Sequence, residues 1–204
     1  MRGLTANDMM SKKYRLFDFE GEWFDFVGQP EVNGVWFIWG NSGNGKTTFV
    51  LEMVKYLSQF VKVAYNSLEE GFSHTMQNSF RNVNMKSAYA KRVLIVSESI
   101  EELEARLSKK NSPHAVIIDS FQYSQLSYKQ YIEFKKKFPK KLIIFVSHAD
   151  GKKPSGRSAK SVMYDSSLKI WVEGYKAFTK GRYIGSTGEY IIWAEGALKY
   201  WGEI

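Results

Sequence analysis

The sequence predicts an α/β fold: a mostly parallel central sheet with helices on both faces and an antiparallel hairpin at its C-terminal end. Three observations carry this expectation. Short apolar runs, Trp36–Trp39, Val63–Tyr65, Ala115–Ile118 and Leu142–Val146, alternate with amphipathic helical segments, as strands buried on both faces of a parallel sheet do. A glycine-rich loop joins the first run to the first long helical segment. Beyond residue 160 the alternation gives way to shorter strand-like stretches, Leu168–Val172 and Gly188–Trp201, with Glu195-Gly196 placed as a turn between Tyr190–Ala194 and Ala197–Trp201.

The loop reads Gly40-Asn41-Ser42-Gly43-Asn44-Gly45-Lys46-Thr47-Thr48 and fits Gly-x-x-x-x-Gly-Lys-[Ser/Thr], a P-loop set between strand and helix. Its glycines let the backbone turn its N–H groups inward as an anion nest, and the following helix aims its positive end at the same point. Lys46 supplies a mobile charge for the β- and γ-phosphates, and the Thr47 hydroxyl is a ligand for Mg²⁺. A bound nucleoside triphosphate, ATP with Mg²⁺, is the expected ligand.

Residues 1–30 read as an aromatic-rich arm and residues 31–204 as the ATPase core. Around Gly21 the arm alternates apolar and acidic residues, which suggests a short hairpin or extended segment. It either packs on its own core or reaches a neighbouring subunit. Phe49, Met53, Leu57 and Phe60 form a core-facing helical stripe, and Phe72, Met76, Phe80 and Val83 form a second. Arg92–Val96 is the next strand. Ser99 and Ser127 each stand three residues before a Glu or Gln, the spacing of a capping box, and open the helices that follow. Pro139 stops the second of them.

The chain has 204 residues, no cysteine and a formal net charge of +8. The missing cysteines exclude a disulfide framework or a thiolate metal site and fit a reducing, cytoplasmic setting. No apolar run is long enough to cross a bilayer, and no apolar stretch follows Arg2, Lys12 and Lys13 as in a secretory leader. The positive charge points to an anionic partner.

A carboxylate is needed beside the P-loop to help hold Mg²⁺, and Asp119, at the end of an apolar strand, meets that description. Ligands of open α/β sheets sit beyond the carboxyl ends of the strands, so Lys46, Glu69, Asp119 and His148 should converge there. Glu69 and Glu70 are both candidates for the group that activates the attacking water.

Ser67-Leu68-Glu69 resembles the strand-end motif of the RecA-like ATPases, above all the DnaB-type helicases, where the glutamate is the catalytic base. Asp119-Ser120-Phe121-Gln122 resembles the Walker B continuation of RadA and DnaB, and Ser147-His148 falls where the superfamily keeps a γ-phosphate sensor. Lys180-Gly181-Arg182-Tyr183-Ile184-Gly185-Ser186-Thr187 is similar to the Lys-x-Arg-[aromatic]-Gly-Ser-Thr segment of RadA, with Ile184 as an extra residue. In that family the lysine and arginine enter the neighbouring subunit's ATP site. The resemblance covers about Gly34 to Ile192 and extends to small stand-alone ATPases of phages and mobile elements. It implies a homo-oligomer, ring or filament, with Glu69, Lys46, His148, Lys180 and Arg182 as catalytic groups.

The segment from Asp150 to Lys160 reads as a basic loop rich in glycine and serine. In RecA-like proteins a DNA-binding loop follows the sensor strand. Lys152, Lys153, Arg157 and Lys160 suit a phosphate backbone, which makes single-stranded DNA the expected partner. Two function classes follow. One is an oligomeric ATPase acting on single-stranded DNA; the other is a KaiC-like ATP-driven protein switch that does not bind DNA.

Overall fold

The computed structural model describes residues 3–85 and 90–202, so Arg2 lies outside the described residues. The chain runs α1 (Ala6–Ser11), α2 (Gly21–Val27), β1 (Gly34–Gly40), α3 (Lys46–Leu57), β2 (Val63–Ser67), α4 (His74–Asn82), β3 (Val93–Val96), α5 (Ile100–Leu107) and β4 (Ala115–Asp119). It continues through α6 (Tyr128–Lys137), β5 (Leu142–Asp150), β6 (Lys153–Pro154), α7 (Arg157–Asp165), β7 (Leu168–Glu173), β8 (Lys176–Gly181), β9 (Glu189–Ile191) and α8 (Ala194–Trp201).

Strand order is β3-β2-β4-β5-β1-β7-β8-β9, parallel from β3 to β7 and antiparallel from β7 to β9. The expected α/β architecture is therefore present. Alternate residues of each central strand feed two apolar layers. Trp36, Ile38, Tyr65, Ile117 and Ile144 meet α3 and the arm on one side. Phe37, Trp39, Val116, Ile118 and Phe145 meet α5, α6 and α7 on the other. Both capping boxes form, at Ser99 with Glu102 and at Ser127 with Gln130.

Four local expectations are corrected. The segment around Gly21 is neither hairpin nor extended: Trp23, Phe26 and Val27 recur at helical spacing, and α2 buries Phe26 and Val27. Phe72 lies outside the stripe of α4, which starts at His74, and is 75% exposed. Glu195-Gly196 lies inside helix α8 rather than in a turn. Gly196 is buried, and a Cβ there would collide with the Trp193 ring, so this glycine serves close packing. The segment from Asp150 to Lys160 is a loop only in part. Lys153-Pro154 pairs back onto β5, and α7 begins at Arg157 because Ala159, Val162 and Met163 give it a buried helical face.

The arm packs on its own core. Phe17 and Phe19 stack at 5.1 Å, and Trp23 stacks on Tyr56 at 5.1 Å. α1 buries none of its residues.

Candidate active site

At the carboxyl end of β1 the chain turns through the glycine loop into α3. Gly45, the residue before the helix, has φ +88°, and a Cβ there would press on Ile192 and Tyr175 at 3.3 Å. No side chain caps this helix and no acidic residue sits in its first turn. Its leading N–H groups are therefore open to an anion. The pocket above them is lined by Asn41, Ser42, Gly43, Gly45, Lys46, Thr47 and Thr48 from the loop and helix, with Glu69, Glu70 and Asp119 from the ends of β2 and β4. Gly40 ends β1 behind the loop. Asn44 faces away: its side chain accepts the Gly174 N–H at 2.7 Å, and its carbonyl accepts that of Tyr175 at 3.2 Å.

Lys46, Glu69 and Asp119 line this one pocket, and His148 meets it through Glu69. His148, on β5 beside Gly40, brings Nε2 to 2.8 Å from Glu69 Oε2. The neighbouring Glu70 is occupied otherwise. Its Oε2 accepts the Thr75 hydroxyl at 2.9 Å and the Ser73 hydroxyl at 3.4 Å, at the start of α4.

Asp119, at the end of β4, is partly buried, and burial pushes its carboxyl above the ordinary carboxylate range. A hydrogen bond from Tyr65 Oη and the charge of Lys46 oppose that rise, while Glu69 and Glu70 add to it. Tyr65 is in turn held well above the usual phenol range by its own burial and by Asp119. Asp119 and Thr47 are hard oxygen donors lining the same pocket, and no cluster of three or more metal-binding side chains exists among the described residues. That donor set fits Mg²⁺, which keeps phosphate and water oxygens as its remaining ligands.

Lys180 and Arg182 are elsewhere. Gly181 pairs with Leu168, and Leu168 with Trp36, four residues before Gly40. They therefore sit about 13 Å down the sheet from their own P-loop, at ~3.3 Å per residue. The loop after them is pinned to the arm. Gly185 N–H donates to the Phe26 carbonyl at 3.0 Å, Thr187 N–H to the Asp25 carbonyl at 2.9 Å, and the Ser186 hydroxyl to the Asp25 carboxylate at 2.7 Å. A Cβ on Gly185 would collide with the Phe24 and Asp25 carbonyls, so only glycine fits.

Lys152, Lys153 and Arg157 are exposed, and Lys160 is partly so. Their hairpin is tied to the nucleotide end of the sheet: Trp39 Nε1 donates to the Lys152 carbonyl at 3.2 Å. Sequence reasoning missed Tyr65 and passed over Gln122. Both look like ordinary strand and loop residues, and only the register of β2, β4 and β5 gives them partners.

This is the RecA-like P-loop NTPase fold. Solved structures share it at low identity, while no protein-family model and no curated protein matches the chain. The flagellar accessory protein FlaH from Methanocaldococcus jannaschii superposes with a TM-score of 0.61 at 14% identity, covering 88% of this chain and 92% of that one. The KaiC-like protein PH0186 from Pyrococcus horikoshii OT3 gives 0.58 at 14% identity, covering 84% and 94%. The ATP synthase subunit NeqB from Nanoarcheaum equitans gives 0.58 at 10% identity, covering 80% of this chain and 52% of that one. No helix among the described residues is long and apolar enough to cross a membrane.

Proposed function

We propose that this chain is an ATPase that functions as a homo-oligomer, with active sites between subunits, and acts on single-stranded DNA. The observation that carries the hydrolytic part is the Glu69–His148 contact beside the open amides of α3. The loop N–H groups and Lys46 hold the β- and γ-phosphates. Glu69 accepts the proton of the attacking water, and His148, bonded to it, is placed to register the γ-phosphate. Thr47 and Asp119 would hold Mg²⁺, which would offset negative charge on the phosphate oxygens.

Charge is spread over three γ-phosphate oxygens as the bond breaks, and Lys46 alone is a single cation. The backbone of Lys180 and Arg182 lies down the sheet from their own P-loop, and a neighbouring subunit is the recipient that suits them. Such a contact is heterologous and repeats into a ring or a filament. On the DNA side, Lys152, Lys153, Arg157 and Lys160 form a basic edge joined to the P-loop end through Trp39.

The testing experiment is ATP turnover with and without a single-stranded oligonucleotide, alongside particle mass in each nucleotide state. Stimulated turnover in an assembled particle is expected. The likeness to the KaiC-like structure supports a second reading, a nucleotide-controlled switch with a protein partner. In that case mass would follow nucleotide while DNA left turnover unchanged.

A further inference from the structure

β7 and β8 form an antiparallel ribbon at the edge of the parallel sheet. On one side Leu168, Ile170, Val172 and Ala177 are buried. On the other, α7 packs on β1 and β6, and the ribbon residues beyond it stay partly exposed. That side has an unusual composition. Trp171 lies directly opposite Phe178, with ring centroids 5.4 Å apart. Next to them Lys169 lies directly opposite Lys180. Like charges facing each other across a ribbon are destabilising unless an anion lies between them. Burial and the nearby Arg182 hold the Lys169 ammonium below its ordinary range, against the opposing charge of Asp165.

A third ammonium arrives from the β5–β6 hairpin. Lys152 Nζ stands 5.9 Å from the Trp171 ring centre and Lys180 Nζ 4.8 Å from it. Among the described residues none of Lys152, Lys169 and Lys180 has an ion-pair partner. The Trp171 indole N–H points inward, buried and without a hydrogen-bond partner, so only part of the ring is open.

We propose that this face of the β7–β8 ribbon is a platform for single-stranded nucleic acid, with phosphates on Lys152 and Lys169 and bases against Trp171 and Phe178. Unpaired cations interleaved with flat rings call for a ligand that repeats an anion and a flat ring, and a single strand is such a ligand. In a duplex the base faces are stacked away. The proposal deepens the nucleic-acid part of the function proposed above and rests on it. It moves the main contact from the basic hairpin and α7 alone to a sheet face beside them.

The test uses the full chain and a dye-labelled oligothymidylate, with anisotropy followed across a salt series. Lys169→Gln should flatten the salt slope by about 0.7, the share of one phosphate on a single strand. Trp171→Ala should weaken binding by about 5- to 150-fold, the measured range for one stacked base. Trp171→Phe should keep most of the affinity because a ring remains. If Trp171→Ala does not fold, Lys169→Gln and Trp171→Phe decide the matter. The strand's quenching of tryptophan emission should then be smaller in Trp171→Phe than in the unaltered chain.

Three results overturn the proposal. If these variants bind like the unaltered chain while Lys153→Gln with Arg157→Gln abolishes binding, DNA is held by the hairpin and α7 only, and the broader reading survives. If the unaltered chain does not bind the oligonucleotide even at low salt, both readings fall. If Lys169→Gln lowers particle mass without touching DNA affinity, the face belongs to a second copy of the chain.

Discussion

Gln122 accepts the backbone N–H of His148 through Oε1 at 3.2 Å, and its Nε2 donates to the Ser147 hydroxyl at 2.9 Å and the Ser155 carbonyl at 3.0 Å. One amide thus joins the end of the Asp119 strand, the residue beside Glu69 and the basic hairpin. Gln122→Ala should let His148 drift from Glu69. A displacement of about 1 Å near reacting groups can cost about a hundredfold, so kcat should fall ten- to a hundredfold with KM for ATP little changed. Any stimulation by single-stranded DNA should fall with it. A variant that loses only melting temperature, with kcat and stimulation intact, would show the amide to be structural.

Glu69 and Glu70 are adjacent in sequence and differ in their engagements. Glu69→Gln keeps shape and loses basicity, so turnover should drop by about 10²–10⁴ while ATP still binds. Glu70→Gln should stay within a few-fold of the unaltered chain, since its carboxylate is held by Thr75 and Ser73. Steady-state turnover of the two variants checks this, and the reverse order would assign the base to Glu70.

Asp119 has a raised folded pKa, chiefly from burial. Such a carboxyl binds its proton more tightly folded than unfolded. Its contribution to stability is therefore complete below the ordinary carboxylate range and is lost as pH rises through the raised value. Nucleotide-free Asp119→Asn should accordingly melt higher than the unaltered chain at pH 7, by about 2–4 °C per kcal/mol recovered. The same variant should lose the Mg²⁺-dependent part of the stabilisation by ATP, which for the unaltered chain is about 2.7 kcal/mol at 100 times Kd. Melting curves at pH 5 and pH 7, with and without nucleotide, test both halves. A lower melting point at pH 7 without nucleotide contradicts the charge assignment.

Lys46→Ala and Arg182→Ala should each be nearly inactive, because a finger supplied in trans is worth about 10³–10⁵ in rate. Mixed together, they form some interfaces where one subunit donates an intact P-loop and the other an intact finger. Part of the activity should return. If co-assembly is demonstrated and the mixture remains dead, the shared site is refuted.

The sequence by itself determined the sheet, the P-loop and the identity of most pocket residues. These features are local. A strand buried on both faces must be apolar along its whole length, and a phosphate nest needs its glycines and lysine at set intervals, so both are written in consecutive residues. The Ser99 and Ser127 helix starts were legible for the same reason, since a capping box spans only four positions. Where the local pattern was ambiguous, tertiary packing decided. Glu195-Gly196 has the composition of a turn, yet Gly196 is pressed against Trp193 inside a helix. Gly21 opens a helix because Trp23 and Phe26 find Phe49 and Tyr190 to pack on. Only the folded sheet could pair Glu69 with His148, 79 positions apart, or Tyr65 with Asp119, 54 apart. Only strand register sets Lys169 opposite Lys180. Such partners are chosen by the order and offset of strands, which depend on the summed packing of two apolar layers and leave no mark on any short stretch of the chain.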